Sequence, residues 1–164
     1  MRAAIPALPG WQHIVSSPLK RSLDFSQELA DSLQVPLTVE DNLKEIGFGS
    51  WEGKTPDDGL AEDREALNHF YTDPVNNRPE GAEPLDTFSQ RVWNAYLQIL
   101  DNHRDKHILI VAHAGVARAI TANILNMSLD DVYSQLRIEY GGIIYSSVDE
   151  GSPPRLLIKG PALS

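Results

Sequence analysis

The apolar run Ile108-Leu109-Ile110-Val111 constrains the fold of this chain more than any other segment. Four consecutive β-prone residues without polar alternation are typical of a strand that is covered on both faces in a parallel sheet. Apolar residues recur at helical spacing across 85–103, and a second helix is predicted at 116–125. We therefore expect residues 108–111 to form a buried, central strand of an α/β sheet.

The remaining segments continue this alternation of strands and helices. Ser17-Pro18 predicts a helix start with the hydroxyl at the N-cap and the proline at N1, and Thr55-Pro56 repeats the signal. The other predictions are a strand at 13–16, a helix at 19–33, a strand at 35–39, a loop at 45–53, a helix near 60–73, a capped helix start at 128–131, and strands at 143–148 and 156–158. The alternation favours a three-layer α/β/α domain with a mostly parallel sheet, spanning 1–164.

Composition and charge exclude several classes of function. A formal net charge of -9 repels polyanions, and no basic patch opposes it, so nucleic acid is not an expected partner. The absence of cysteine excludes disulfides, thiolate metal sites and a cysteine nucleophile, and we expect neither a metal nor another cofactor. Pro6 and Pro9 interrupt the first residues, and no apolar run is long enough to span a bilayer. These features predict a cytoplasmic protein without a membrane partner.

His113 directly follows the apolar strand and precedes Ala114-Gly115 and a helix. Ligands of open α/β sheets collect beyond the carboxyl ends of the strands, where small residues let backbone N–H groups and a helix N-terminus face an anion. A neutral imidazole adds a hydrogen bond, and an imidazolium adds charge. The pattern predicts an anion site at His113 and Ala114. The alternative is a histidine that merely ends a strand.

The segment 16–22 repeats this geometry, with hydroxyls at the end of a strand and cations in the first helical turn. Lys20 and Arg21 oppose the helix dipole there, which indicates an anion near them. Arg21 is the better ligand because its guanidinium fork binds two phosphate oxygens at once. The alternative is a solvated surface pair of cations.

Glu45 and Glu52 lie in the stretch 43–53, where three glycines and two aromatic residues indicate a shaped loop. A carboxylate held beside apolar rings has a raised pKa, which suits a general acid near neutral pH. Taken alone, either glutamate is better explained as a solvent-exposed carboxylate.

Four segments, taken together and in this order, resemble the histidine phosphatase superfamily, which has the phosphoglycerate mutase-like fold. They are SSPLKRS at 16–22, LKEIGFGSWEG at 43–53, EGAEPLDTFSQR at 80–91 and VAHAGVAR at 111–118. The resemblance covers nearly the whole chain and implies a phosphatase acting on a small phosphorylated metabolite. The second segment lacks the long insert typical of the mutases, so the chain looks most like small bacterial phosphatases such as the alpha-ribazole phosphatases.

The resemblance also implies roles for three residues. Arg21 would hold the phosphoryl group, and His113 would contact it and stabilise its transition state. Glu45 would protonate the leaving oxygen and then activate water.

The sequence departs from the family at one signature. Family members begin with a strand ending in Arg-His-Gly, whose histidine attacks phosphorus and forms a phosphohistidine. No histidine of this sequence is preceded by arginine or followed by glycine, namely His13, His69, His103, His107 and His113. We therefore expect an N-terminally incomplete domain that lacks the first strand, with 3–11 as the tail of its first helix. Such a chain should be inactive as given.

Two other functions stay open at this stage. A non-catalytic relative could bind a phosphorylated ligand or a protein partner. A nucleotide-binding module is disfavoured because the sequence contains neither GxxxxGK[ST] nor GxGxxG.

Overall fold

Three parallel strands form the centre of the fold. The structure, a computed structural model, describes residues 10–54, 64–139 and 141–157. Strand β1 is His13–Ser16, β2 is Leu37–Val39 and β3 is Ile108–Val111, in the order β2-β1-β3. Strand β1 pairs in parallel with both neighbours, and all four of its residues are buried.

Helices and a hairpin surround this sheet. The helices are α1 (Lys20–Leu33), α2 (Arg64–Thr72), α3 (Leu85–Asn102), α4 (Ala114–Leu125) and α5 (Leu129–Gln135). A separate antiparallel hairpin consists of β4 (Tyr145–Ser147) and β5 (Arg155–Leu157). In the described part of the chain, no helix combines the length and the apolar character needed to cross a membrane.

The two faces of β1 belong to different parts of the core. Ile14 packs with Leu29 and Ala30 of α1 on one face. Val15 belongs to the larger cluster on the other face, which includes Val92 of α3 and Val116 of α4. Successive side chains of a strand point to opposite faces, so two adjacent residues connect both helical layers to the sheet. This arrangement confirms the predicted α/β fold with helices on both sides of a parallel sheet.

The prediction of a central, fully covered strand at 108–111 is wrong. In the described part of the chain, β3 pairs only with β1, and its four residues are half-buried. The central strand is β1, although His13–Ser16 contains only two strongly apolar residues. Strand order depends on pairing between distant segments, and the apolar content of one segment does not encode it.

Several element boundaries also differ from the predictions. Helix α1 begins at Lys20 with Leu19 at the N-cap, so Ser17 and Pro18 are not its cap and first residue. The Ser17 hydroxyl instead contacts His113 and accepts a 3.3 Å hydrogen bond from the Leu19 N–H. The strands predicted at 35–39 and 143–148 are shorter, and the strand predicted at 156–158 begins one residue earlier, at Arg155. The last two form the hairpin outside the parallel sheet.

The helix start predicted at 128–131 is confirmed, because the Ser128 hydroxyl accepts a 3.1 Å hydrogen bond from the Asp131 N–H. The cap predicted at Thr55-Pro56 lies outside the described residues, as do residues 3–9 of the predicted helix tail.

Candidate active site

Three connections bring the predicted site residues to one edge of the sheet. Arg21 follows β1, Glu45 follows β2 and His113 follows β3. Parallel strands end at the same edge, so the side chains that follow them can converge. All three residues, together with Ala114, line one open cleft of about 2210 Å³.

His113 is neutral and tied to the segment after β1. Its Nε2 lies 2.7 Å from the hydroxyl oxygen of Ser17, which is fully buried. Burial, and then the positive charge of Arg21, lower the pKa of His113 to about 4. A neutral imidazole can exchange hydrogen bonds with both a hydroxyl and a bound anion. The sequence pattern at Ser17 indicated a helix cap, so its contact with His113 was missed.

Glu45 is a partly buried carboxylate that rests on the first turn of α4. One oxygen accepts a hydrogen bond from the Ile46 N–H at 3.0 Å, and the other accepts one from the Gly115 N–H at 3.2 Å. Burial raises the pKa of Glu45, while these two hydrogen bonds and the charges of Arg21 and Arg118 oppose the shift. A carboxyl group with a raised pKa can hold a proton closer to neutral pH, as a general acid must.

Gly115 makes this position of Glu45 possible. A Cβ atom at residue 115 would overlap the Glu45 carboxylate and would come within 3.3 Å of the Phe88 ring. The sequence indicated that a small residue here would open space for an anion. The structure shows that it opens space for the carboxylate of Glu45.

Arg21 is a cation that has no partner in the described part of the chain. Its side chain is exposed at the cleft, and it forms no hydrogen bond or ion pair with any described residue. The neighbouring Lys20 instead pairs with Asp24 at 2.5 Å on the outer face of α1. The alternative of a solvated surface cation therefore describes Lys20, and Arg21 is the one available to an anion.

Arg91 fixes the loop that carries Glu45. Its Nε and Nη2 donate to the two carboxylate oxygens of Glu83 at 2.7 and 2.8 Å. Its Nη1 donates to the carbonyl oxygens of Asn42 and Lys44 at 2.6 and 3.0 Å, and Nη2 also reaches the Glu45 carbonyl at 3.4 Å. The sequence did not indicate this role of Glu83 and Arg91. Their spacing does not reveal that Arg91 also binds the carbonyl groups of the loop at 42–45.

The other titratable residues singled out in the sequence do not join this group. Glu52 lines the outer part of the cleft and is exposed. His13 lies at the amino end of β1, where its Nε2 is 2.8 Å from the Thr38 hydroxyl and its ring packs against that of His103. His107 lies at the amino end of β3. Among the described residues, His113 is the one histidine at the carboxyl edge of the sheet.

The described ranges contain no group of three or more histidine, cysteine, aspartate or glutamate side chains that could hold a metal ion.

Comparisons with known proteins agree on one family. A family model described as the histidine phosphatase superfamily (branch 1) matches residues 1–157. The adenosylcobalamin/alpha-ribazole phosphatase of Salmonella typhimurium is 29% identical over 140 residues, which are 85% of this chain and 67% of that protein. The metal-independent phosphoserine phosphatase of Arabidopsis thaliana is 32% identical over 117 residues, which are 70% of this chain and 49% of that protein.

A solved structure, that of Bacillus stearothermophilus YhfR, superposes with a TM-score of 0.79 at 26% identity. The match covers 93% of this chain and 74% of that one. The chain spans about half to two thirds of the length of the curated relatives that it matches.

Proposed function

The chain belongs to branch 1 of the histidine phosphatase superfamily, and we propose that its cleft binds the phosphoryl group of small phosphorylated metabolites for hydrolysis. The resemblance drawn from four sequence segments and the phosphoglycerate mutase-like fold are both confirmed. The observation that carries the proposal is the convergence of three side chains on one cleft: Arg21, which has no partner among the described residues, a neutral His113 and a partly buried Glu45.

Three groups are suited to the phosphoryl oxygens. The guanidinium fork of Arg21 can donate to two of them at once. Ala114 is the first residue of α4, so its backbone N–H has no intrahelical acceptor and lies at the positive end of the helix dipole. The approach of a dianion raises the pKa of His113, so binding and protonation of this imidazole are coupled.

Glu45 is suited to the proton transfers. In the protonated state it can donate to the oxygen of the departing alcohol, and as a carboxylate it can then accept a proton from water. The hydrogen bonds from Ile46 and Gly115 fix both carboxyl oxygens, so the group is held in one orientation for both steps.

The natural substrate is proposed as a class. The short 43–53 loop and the likeness to the Salmonella protein favour an alpha-ribazole phosphate type of substrate. Relatives named as phosphoserine phosphatases match at comparable identity. The alpha-ribazole phosphatases and the phosphoserine phosphatases together support a small phosphate monoester as the substrate class.

A second function has one specific observation in its favour. The 164 residues contain no Arg-His-Gly, while the residues proposed to bind phosphate, Arg21, His113 and Ala114, all line the cleft. A protein that binds a phosphorylated ligand without hydrolysing it needs the phosphate-binding residues but not the Arg-His-Gly segment.

Anion binding tests the proposed site directly. We expect vanadate or inorganic phosphate, at about 100 times its Kd, to stabilise the chain by about 2.7 kcal/mol and to raise its Tm by about 5 to 10 °C. Arg21→Gln should weaken binding by about a hundredfold because a bidentate, charge-assisted contact is lost. The matched control is Lys20→Gln, which removes the adjacent paired cation and should leave the Tm shift unchanged. Equal shifts in both variants would contradict the proposal.

The pH dependence of sulfate binding reports the protonation of the site, because sulfate keeps its charge from about pH 8 to about pH 4. The pKa of Glu45 is raised, so lowering the pH neutralises this carboxyl group before ordinary glutamates, and the affinity for the anion should rise. Protonation of His113 should raise the affinity for sulfate further. This rise should level off near pH 4, because the pKa of His113 is about 4 when no anion is bound. Titration calorimetry across this range should show a smaller rise for Glu45→Gln. If the sulfate affinity of Glu45→Gln varied with pH in the same way as that of the unaltered chain, the assignment of Glu45 to the site would be refuted.

A further inference from the structure

Ser17 has each of its polar groups engaged, and one of them contacts His113. Its backbone N–H donates to the Val111 carbonyl at 2.9 Å, and its own carbonyl accepts a 2.9 Å hydrogen bond from the Ser16 hydroxyl. Its hydroxyl oxygen accepts from the Leu19 N–H at 3.3 Å and lies 2.7 Å from Nε2 of His113. The residue is fully buried, so these contacts fix both its backbone and its side chain.

These contacts also give the direction of the hydrogen bond between Ser17 and His113. A hydroxyl has one proton and two lone pairs, and the Leu19 N–H occupies one lone pair. The proton of a buried hydroxyl needs an acceptor. Among the described residues, Nε2 of His113 is the acceptor that contacts it. The Ser17 hydroxyl therefore donates to Nε2, and a neutral His113 carries its own proton on Nδ1.

Nδ1 is the ring nitrogen of His113 that remains for a ligand. The side chain is half-buried and lines the cleft, and it makes no capping hydrogen bond with α4. With a proton on Nδ1, the neutral ring can donate a hydrogen bond to an anion oxygen in the cleft. In the other tautomer Nδ1 has only a lone pair, which repels that oxygen. The tautomer therefore decides whether the neutral ring attracts an anion.

We propose that Ser17 is a positioning residue, which holds His113 in the Nδ1–H tautomer so that the neutral imidazole donates to a phosphoryl oxygen. The part that concerns phosphate rests on the proposed function, whereas the tautomer can be measured in the free chain. Ser17 acts through His113 and needs no contact with the ligand. A purely structural role, in which Ser17 only joins the ends of β1 and β3, needs its backbone bond to Val111 but not its hydroxyl.

The charged groups of the cleft stay in place when the Ser17 hydroxyl is removed. They are Arg21 on α1, Glu45 on the loop after β2 and Arg118 on α4. Of these, Arg21 is the one whose charge shifts the pKa of His113, which it lowers. A hydrogen bond donated to the neutral ring also opposes its protonation. The pKa of His113 should therefore rise in Ser17→Ala, although no charge has changed.

Nitrogen NMR of the imidazole reports which ring nitrogen carries the proton. In the free 164-residue chain near neutral pH, the His113 signals, identified by their loss in His113→Gln, should be those of the Nδ1–H tautomer. In Ser17→Ala they should move towards a mixture of both tautomers, and Ser17→Thr, which keeps the hydroxyl, should restore them. The matched control Ser26→Ala removes a buried hydroxyl that donates to Ser16 at 2.9 Å, and it should change neither the tautomer nor the pKa.

Sulfate affinity as a function of pH tests the consequence for binding. At about pH 8 the ring is neutral, and Ser17→Ala should bind sulfate about threefold to tenfold more weakly, because only a fraction of the rings presents Nδ1–H. The two affinities should converge towards pH 4, because an imidazolium carries a proton on both nitrogens. Ser17→Thr and Ser26→Ala should follow the unaltered chain. A merely structural defect would weaken binding by the same factor at every pH.

The outcomes separate this inference from the proposed function. An Nε2–H tautomer in the unaltered chain, an unchanged His113 spectrum in Ser17→Ala, or a constant ratio of sulfate affinities across the pH range would overturn the positioning role alone. If the unaltered chain bound neither sulfate nor inorganic phosphate at any pH, the proposed function would fail, and the role of Ser17 in anion binding would fail with it.

Discussion

Arg91→Met is expected to lower the free energy of unfolding by about 2 to 4 kcal/mol. The replacement keeps an apolar stem of similar length, but it leaves the Glu83 carboxylate without its bidentate partner in a mostly buried position, where the two side chains are 22% and 21% exposed. It also removes the donors that satisfy the carbonyl groups around Glu45. For a chain of this size the Tm should fall by about 5 to 15 °C in a thermal melt.

The control for this change is Arg104→Met. Arg104 lies just beyond the end of α3 and pairs with Asp101 of that helix, and both side chains are well exposed, so its loss should cost less than about 1 kcal/mol. The double variant Arg91→Met with Glu83→Met should recover part of the lost stability, because it removes the unpaired carboxylate as well. Equal effects at positions 91 and 104 would show that the 83–91 pair does not support the loop of Glu45.

The layered fold could be predicted from the sequence because its signals are local. The strand at Ile108–Val111 and the helices Leu85–Asn102 and Ala114–Leu125 each follow from the period of apolar residues within one segment. The order of the strands could not be predicted in this way. It depends on β1 pairing with two segments that are far from it in the sequence.

The cluster of Arg21, Glu45 and His113 could be anticipated because each follows a strand, and parallel strands end together. The residues that orient these three could not. Ser17 was assigned a capping role from its position before a proline, yet its hydroxyl contacts His113 across the edge of the sheet. Contacts between side chains from different segments leave no periodic trace in the sequence.

The cleft also explains why the proposed general acid, Glu45, is partly shielded from solvent. Glu45 has hydrogen bonds to two backbone N–H groups, while Gly115 leaves no side chain between the carboxylate and the helix. These contacts favour the charged form, and burial opposes them. The balance leaves a carboxyl group that is both oriented and easier to protonate than an exposed one, as a residue that must first give and then take a proton requires.

The largest effect is expected in catalysis. We predict that the 164-residue chain hydrolyses p-nitrophenyl phosphate at least about a thousandfold more slowly than the usual enzyme range of roughly 1 to 1000 per second. The proposed site holds groups that bind phosphate and move protons, but its one histidine, His113, has its Nε2 at the Ser17 hydroxyl. Covalent catalysis needs a nucleophile in line with the leaving oxygen, and none of the residues placed in the site is assigned that part.

The decisive comparison is with a version extended at its amino end by a strand that ends in Arg-His-Gly. If the cleft supplies the rest of the machinery, the extended version should reach the usual range of turnover, and Glu45→Gln or His113→Ala should reduce it by at least about a hundredfold. Replacement of the added histidine by alanine should return it to the level of the 164-residue chain, because binding without a nucleophile does not form the phosphohistidine. Turnover in the usual range by the unextended chain, lost in both the Glu45 and the His113 variants, would contradict this prediction. It would mean that the site already supplies a nucleophile, either His113 or a water molecule activated by Glu45.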